Sequence, residues 1–283
     1  MMGLIKNAFR RLCLAGAVGA GLSATMASPG LAAPGDAPAA AESSDPFLWL
    51  EDAHGERAMD WVKRENARTA AVLEADERFP RLQAEALKIA QAADRIPTPE
   101  FIGGKIYNYW QDADHVRGLW RRTSLADYAK PAPKWTTVLD LDALAKAESA
   151  NWVFKGDDCE WRGERRCLLN LSDGGEDAVT IREFDLVAGG FVRGGFVLPK
   201  GKQTVSWADR DTLLIAREWA PGDLTTSGYP FIVKALKRGQ PLSSAVEVFR
   251  GAPTDGGYGV APLTLHDGQG RQALLIVRPL STF

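Results

Sequence analysis

The chain has 283 residues, of which 45% are hydrophobic and 25% charged, and a formal net charge of −2. That composition belongs to a globular protein with material for one large domain or two small ones, and it excludes a chain disordered along its length. No Lys/Arg-rich tract or basic face interleaved with aromatic residues is present, so nucleic-acid binding lacks its electrostatic term.

Residues 1–33 carry Lys6, Arg10 and Arg11, then an apolar run from Leu12 to Ala27, then small residues through Ala33. This is the layout of a secretory signal peptide, and the mature protein is expected to be periplasmic or secreted, with no membrane attachment after cleavage. A membrane anchor is the alternative, but the run is short and Gly-rich for a bilayer core of roughly 30 Å. Cys13 follows Arg11-Leu12 and lacks the small residues that precede a lipid-modified cysteine. Residues 1–33 hold three basic and no acidic side chains, so their removal leaves a more acidic protein. Residues 34–44, dominated by Ala and Pro, read as a flexible leader.

Residues 45–100 form an expected N-terminal helical extension. Between Glu56 and Ala93 apolar residues recur at helical intervals, Met59, Val62, Val72 and Leu73 in one segment and Leu82, Ala86, Ile89 and Ala93 in the next. Pro80 suits the first turn of the second helix, and Pro97 with Pro99 ends helical structure. Helix is expected only in this front part.

Residues 101–283 change to short runs of aromatic and β-branched residues separated by Gly, Pro, Asp and Asn, which are strands. The first are Lys105–Trp110, Leu119–Thr123 and Thr136–Leu139. Later ones group by fours. Trp152 and Trp207 each lie in a first strand, followed by an apolar second strand (Cys167-Leu168-Leu169 and Leu213-Leu214-Ile215), a long third strand and a short fourth. Another copy begins near Tyr258, with Ala273-Leu274-Leu275-Ile276-Val277 as its second strand. The second strands are 45 and 61 residues apart, within loop variation of a four-stranded blade of about 40–50 residues. The expected fold is mainly β, an incomplete β-propeller of about three and a half blades behind a two-helix extension. A propeller usually has at least about four blades, so the chain reads as interrupted, with an open edge after its last strand.

Candidates for chemistry are sparse. After residue 44 two cysteines remain, Cys159 and Cys167, flanking a polar turn, and an even count in an exported chain favours a disulfide across a hairpin. Two buried thiols are the alternative, and metal ligation is disfavoured because no His lies near them. No G-x-S-x-G pentapeptide is present, and Ser172 and Ser227 read as turn residues. Of the three histidines, His54 lies in the front segment, His115 in a polar turn, and His266 beside Asp267; the last pair is the first to test for an independent hydrolase. The neighbouring acids Glu51 and Asp52, and Asp157 and Asp158, read as turn or solvent-facing groups rather than a catalytic pair. The glycines of 189–195 lack a phosphate-binding Lys and mark hairpin turns. The nine tryptophans are expected to pack sheets rather than line a ligand groove. No catalytic residue, cofactor site or metal site is expected.

The segment Asp45-Pro46-Phe47-Leu48-Trp49-Leu50-Glu51-Asp52, continued by Trp61-Val62 and Glu65-Asn66, resembles the N-terminal signature of the prolyl oligopeptidase family of serine peptidases. Gly103-Gly104-Lys105-Ile106-Tyr107-Asn108-Tyr109-Trp110, leading to Arg117-Gly118-Leu119-Trp120-Arg121-Arg122, is similar to its bacterial members. The resemblance implies an N-terminal extension packed on a C-terminal α/β-hydrolase domain, and a seven-bladed propeller that admits only short peptides. It implies cleavage after proline, or in some branches after basic residues. No position matches the family's catalytic Ser, Asp or His, so the hydrolase domain is a missing partner and the chain alone is expected to be inactive. A self-standing periplasmic binding or adaptor propeller is the rival reading.

Overall fold

The computed structural model describes residues 45–92, 94–96, 98–161, 165–267 and 269–281. The expected signal peptide of 1–33 and leader of 34–44 lie outside the described residues. Among the described residues no helix is long and apolar enough to cross a membrane. The chain packs as two units, residues 1–75 and 76–283.

The described part of the first unit is a single 3-10 turn, Leu48–Leu50, followed by helix α1, Glu56–Leu73. Two aromatic residues of the front signature meet here: Trp49 and Trp61 pack edge to face with centroids 6.4 Å apart, and the Arg57 guanidinium lies 4.2 Å over the Trp49 ring. Rigid aromatic pairs of this kind hold a short turn against a helix that has little other core.

The second unit opens with α2, Phe79–Ala90, which has Pro80 in its first turn, where the missing N–H interrupts no helical hydrogen bond. Antiparallel strands then follow in chain order. The first sheet is β1 (Glu100–Ile102), β2 (Lys105–Trp110), β3 (Leu119–Thr123) and β4 (Thr136–Asp140). Gly103 and Gly104, at φ of 55° and 75°, form its two-residue β1–β2 turn, a geometry that needs positive φ at both positions. The second sheet is β5 (Trp152–Cys159), β6 (Arg166–Asp173), β7 (Val179–Asp185) and β8 (Gly190–Phe191), with β9 (Val197–Gly201) also paired to β7. The third is β10 (Gln203–Asp209), β11 (Thr212–Arg217), β12 (Ile232–Lys237) and β13 (Val246–Arg250). The fourth has two strands, β14 (Ala261–His266) and β15 (Gln272–Val277). Among the described residues three full blades and half of another are therefore present, and no sheet closes on itself.

The expectation that helix is confined to the front is corrected. Helix α3, Leu125–Tyr128, sits between β3 and β4, and α4, Leu141–Glu148, leads from the first sheet to the second. Both carry N-caps: the Ser124 hydroxyl accepts from the Asp127 N–H, and the Asp140 carboxylate from the Ala143 N–H. The Ala/Leu-rich run behind Asp140 has high helix propensity, and this outweighed its place among strands. Two short strands, β1 and β9, fall outside the strand runs expected from composition. β12 starts at Ile232, after an isolated bridge between Leu224 and Pro230.

The core lies between sheets. Alternate residues of one strand face opposite neighbours: Leu169 and Cys167 pack with Tyr107 and Trp120 of the first sheet, while Leu168 packs with Trp207, Leu213 and Ile215 of the third. On the third sheet Leu214 and Ala216 turn the other way, toward Val260 and the fourth sheet. The second and third sheets are thus apolar on both faces, which explains second strands that read as continuous apolar runs.

Candidate functional site

The first strands of the four sheets, β1, β5, β10 and β14, all contribute residues to one groove of about 1020 Å³. Each repeat contributes a short polar stretch at the same place: Glu100, then Asp157 and Asp158, then Ser206 and Asp209, then Thr264 and His266. The repeat therefore has a chemical as well as a structural consequence. It brings together side chains that are far apart in the chain.

Five carboxylates line the groove against three arginines, two of which are paired with acids outside it. Arg165 pairs with Asp185 at 2.8 Å, and Arg166 with Glu183 at 3.3 Å, both carboxylates on β7. Among the described residues no Lys or Arg forms an ion pair with Glu100, Asp157 or Asp158. Burial, then the charges of Glu100 and Asp158, push the Asp157 carboxyl up to about 7. Burial alone lifts Asp158 to about 6 and also raises Glu100. Glu100 and Asp157 share a hydrogen bond, as one protonated and one ionised carboxyl can.

Cys159 and Cys167 face each other across β5 and β6, with Cα atoms 3.9 Å apart, and are joined by a disulfide. Cys159 belongs to the groove wall, and Cys167 is fully buried behind it. Also lining the groove, the Trp161 indole stacks on the His266 imidazole with centroids 4.3 Å apart and planes 7° from parallel. His266 Nδ1 is buried and has no hydrogen-bond partner.

The other candidates are dispersed. Asp267 is turned into its own hairpin, where it binds Arg271 at 2.5 Å, so it does not orient His266. Ser172 is buried in β6 and donates to the Glu176 carbonyl, and Ser227 is exposed in a turn. His54 is exposed before α1. His115 Nδ1 lies 2.8 Å from Asp112 Oδ1. Burial opposes ionisation of Asp112, but hydrogen bonds from His115 and Trp110 hold it at about 2. Ser206, a hydroxyl that shares the groove with the His266 imidazole, donates to Thr264, which in turn donates to the Trp207 carbonyl. Of the tryptophans, Trp120 is a buried packing residue as expected, whereas Trp161 and Trp207 line the groove. Sequence reasoning missed Glu100, Asp209 and the Trp161–His266 stack. Aligning the first strands of the four repeats is the signal that would have found them.

A family model described as "Prolyl oligopeptidase, N-terminal beta-propeller domain" matches residues 33–262. An uncharacterized peptidase of Sinorhizobium fredii is 50% identical over 218 residues, which cover 77% of this chain and 30% of the relative. An uncharacterized peptidase of Rickettsia prowazekii is 30% identical over 209 residues, covering 71% and 29%. Among solved structures, a post-proline cleaving enzyme from Rickettsia typhi superposes with a TM-score of 0.74 at 27% identity, over 82% of this chain and 35% of that one. Oligopeptidase B from Leishmania major shares the fold, with a TM-score of 0.58 at 11% identity over 82% and 31%. The chain spans about a third of the length of the relatives it matches.

Proposed function

Because this chain belongs to the prolyl oligopeptidase family, and carries that family's N-terminal β-propeller domain, we propose that it is the gating part of an exported peptidase that acts on short, proline-containing peptides. The observation that carries this reading is the convergence of four first strands on one groove within a segment matching only the front third of full-length peptidases. A propeller positioned over a catalytic domain selects by size, since only a narrow, extended chain passes along its axis. Hydrolysis is assigned to a C-terminal α/β-hydrolase domain, a partner supplied by the part of the family's length that this chain does not span.

Two surfaces support that assignment. Leu82 and Ile89 of α2 are 51% and 72% exposed on one helical stripe, an apolar seat for the hydrolase domain. On the fourth sheet, Leu263, Leu265, Leu275 and Val277 form an uncovered face that a following blade would bury. Export rests on the pattern of residues 1–33.

The purified 283-residue chain should leave a proline-containing chromogenic peptide uncut, whereas a fusion of this chain to the C-terminal two-thirds of the Sinorhizobium fredii relative should cleave it. Cleavage by the chain alone would refute the division of labour. A fusion that folds but stays inactive, beside an active full-length relative, would refute the gating role. Residues 1–44 fused to a phosphatase active only outside the cytoplasm should give activity, and its absence would remove export.

A further inference from the structure

We propose that Cys159, Cys167 and Asp157 form a zinc-binding site when their disulfide is reduced, so that the β5–β6 hairpin carries either a covalent bridge or a metal bridge. Each of the three residues offers one ligand atom, and these atoms lie within 4.8 Å of one another. The strand geometry places them. Asp157 and Cys159 are two apart on β5 and share a face, and Cys167 is the direct cross-strand partner of Cys159. Asp157 Oδ2 lies 3.1 Å from Cys159 Sγ.

Two thiolates and a carboxylate are a donor set that suits a borderline-soft divalent ion. Thiolates on tetrahedral zinc sit roughly 3.8 Å apart, given Zn–S bonds of about 2.3 Å. Side-chain rotation on Cα atoms 3.9 Å apart can reach that separation without moving the strands. A water completes four-coordination, with Glu100, hydrogen-bonded to Asp157 from β1, as an outer partner. Among the described residues no lysine or arginine forms an ion pair with Asp157.

The step balances with a dithiol, either a small one or a thioredoxin-type protein, as reductant. The Cys159–Cys167 S–S bond breaks as it takes up two electrons and two protons, and the dithiol becomes a disulfide. Zinc then replaces both thiol protons, which pass to solvent; two Zn–S bonds form, and the metal keeps its charge. The inference is independent of the peptidase assignment, since no peptide or hydrolase domain enters it.

The test uses the full chain, reduced and freed of reductant under anaerobic conditions, and titrated with zinc against a chromophoric chelator and with cadmium while thiolate charge-transfer absorption is followed. The reduced chain should bind one equivalent of either metal, and the oxidised chain none. Asp157→Asn should weaken zinc by at least about tenfold, since even outer-shell partners of a zinc site are worth about 10- to 100-fold. Cys159→Ser should abolish the cadmium–thiolate signal at equimolar metal. Far-ultraviolet circular dichroism monitors the fold, and Asp157→Asn, which keeps both thiols, decides the matter should the serine variant unfold. Equal binding by the oxidised chain, unchanged affinity in Asp157→Asn, or a reduced chain that binds no metal or loses its β-structure would each overturn the proposal.

Discussion

The second and fourth sheets are built from nearly the same kind of strand and end in opposite environments. β6 reads Cys167-Leu168-Leu169-Asn170-Leu171, and its three leucines are 0% exposed; β15 reads Ala273-Leu274-Leu275-Ile276-Val277, and Leu274, Leu275 and Val277 are 43–49% exposed. The apolar pattern is therefore not what buries a strand. A sheet with apolar side chains on both faces is buried only when another sheet covers each of them. The second sheet has the first and third as neighbours, and the fourth has only the third among the described residues.

The largest contrast should appear in the ion pairs. Glu183, in the second sheet, is 1% exposed and accepts hydrogen bonds from Arg166, Arg238 and the Phe196 N–H, tying β6 and β7 to the end of β12. Glu183→Ala takes one acceptor from each of two guanidinium groups and an amide and should cost about 3–5 kcal/mol, the usual loss when one partner of a buried pair is removed. Asp267→Ala, which breaks the exposed pair with Arg271 beside the fourth sheet, should cost far less, because water screens the pair. Urea unfolding of both variants checks the difference, and similar costs would mean that the two regions are equally packed.

Core truncation comes next. Leu169→Ala opens a cavity among Trp120, Phe184 and Tyr107 and should cost about 2–5 kcal/mol. Leu275→Ala, on a side chain 43% exposed, should stay within about 1 kcal/mol, because water already reaches much of it. Chemical denaturation midpoints at fixed slope report the pair.

The same contrast explains how much was legible. The sheets were readable because Leu168-Leu169 and Leu213-Leu214 recur at blade spacing, and the front signature already holds Trp49 and Trp61, which the fold packs together. Helices α3 and α4 were hidden because strand-rich surroundings weighed against the local cues of Ser124 and Asp140. β1 was hidden because three residues after a proline-rich stretch carry no period. The groove was largely illegible: Glu100, Asp158, Ser206 and His266 are ordinary in their local sequence, and only stacking of the sheets brings them side by side. Asp157 and Asp158 read as a solvated pair, but adjacent strands shield them, and this raises both.

A pH effect should follow from that shielding. Asp158 ionises near 6 in the folded chain against an ordinary value of 3.8, so between those limits the unfolded chain gives up its proton first. Stability contributed by the protonated acid is therefore lost as pH rises from about 4 to about 7, with Asp157 acting in the same sense. Asp158→Asn should be close to the parent at pH 4 and gain on it by about 1–2 kcal/mol at pH 8, since a tenfold change in proton affinity is worth about 1.4 kcal/mol and groove water offsets part of the total. Thermal melts across that range test the sign. A gain at low pH instead would mean that the acid is stabilised as an anion. Asp267→Asn beside the fourth sheet should show no such gain, because Arg271 holds that exposed carboxylate below its usual range.

The smallest effect on stability, and the sharpest statement about the fourth sheet, concerns its outer face. Leu263, Leu265, Leu275 and Val277 lie on one side of β14 and β15, each 40–49% exposed. An exposed apolar patch promotes association whatever its contribution to folding. Leu275→Lys can project its ammonium group to water while its stem covers the neighbouring leucines, so the unfolding free energy should change by no more than about 0.5 kcal/mol. Association should change far more, with light scattering of the 283-residue chain falling toward that of a monomer. At Leu169 the same lysine would bury a charge between two sheets and unfold the protein. Were Leu275→Lys as damaging as Leu169→Lys, the fourth sheet's face would have to be covered in this chain, and the contrast between the two sheets would disappear.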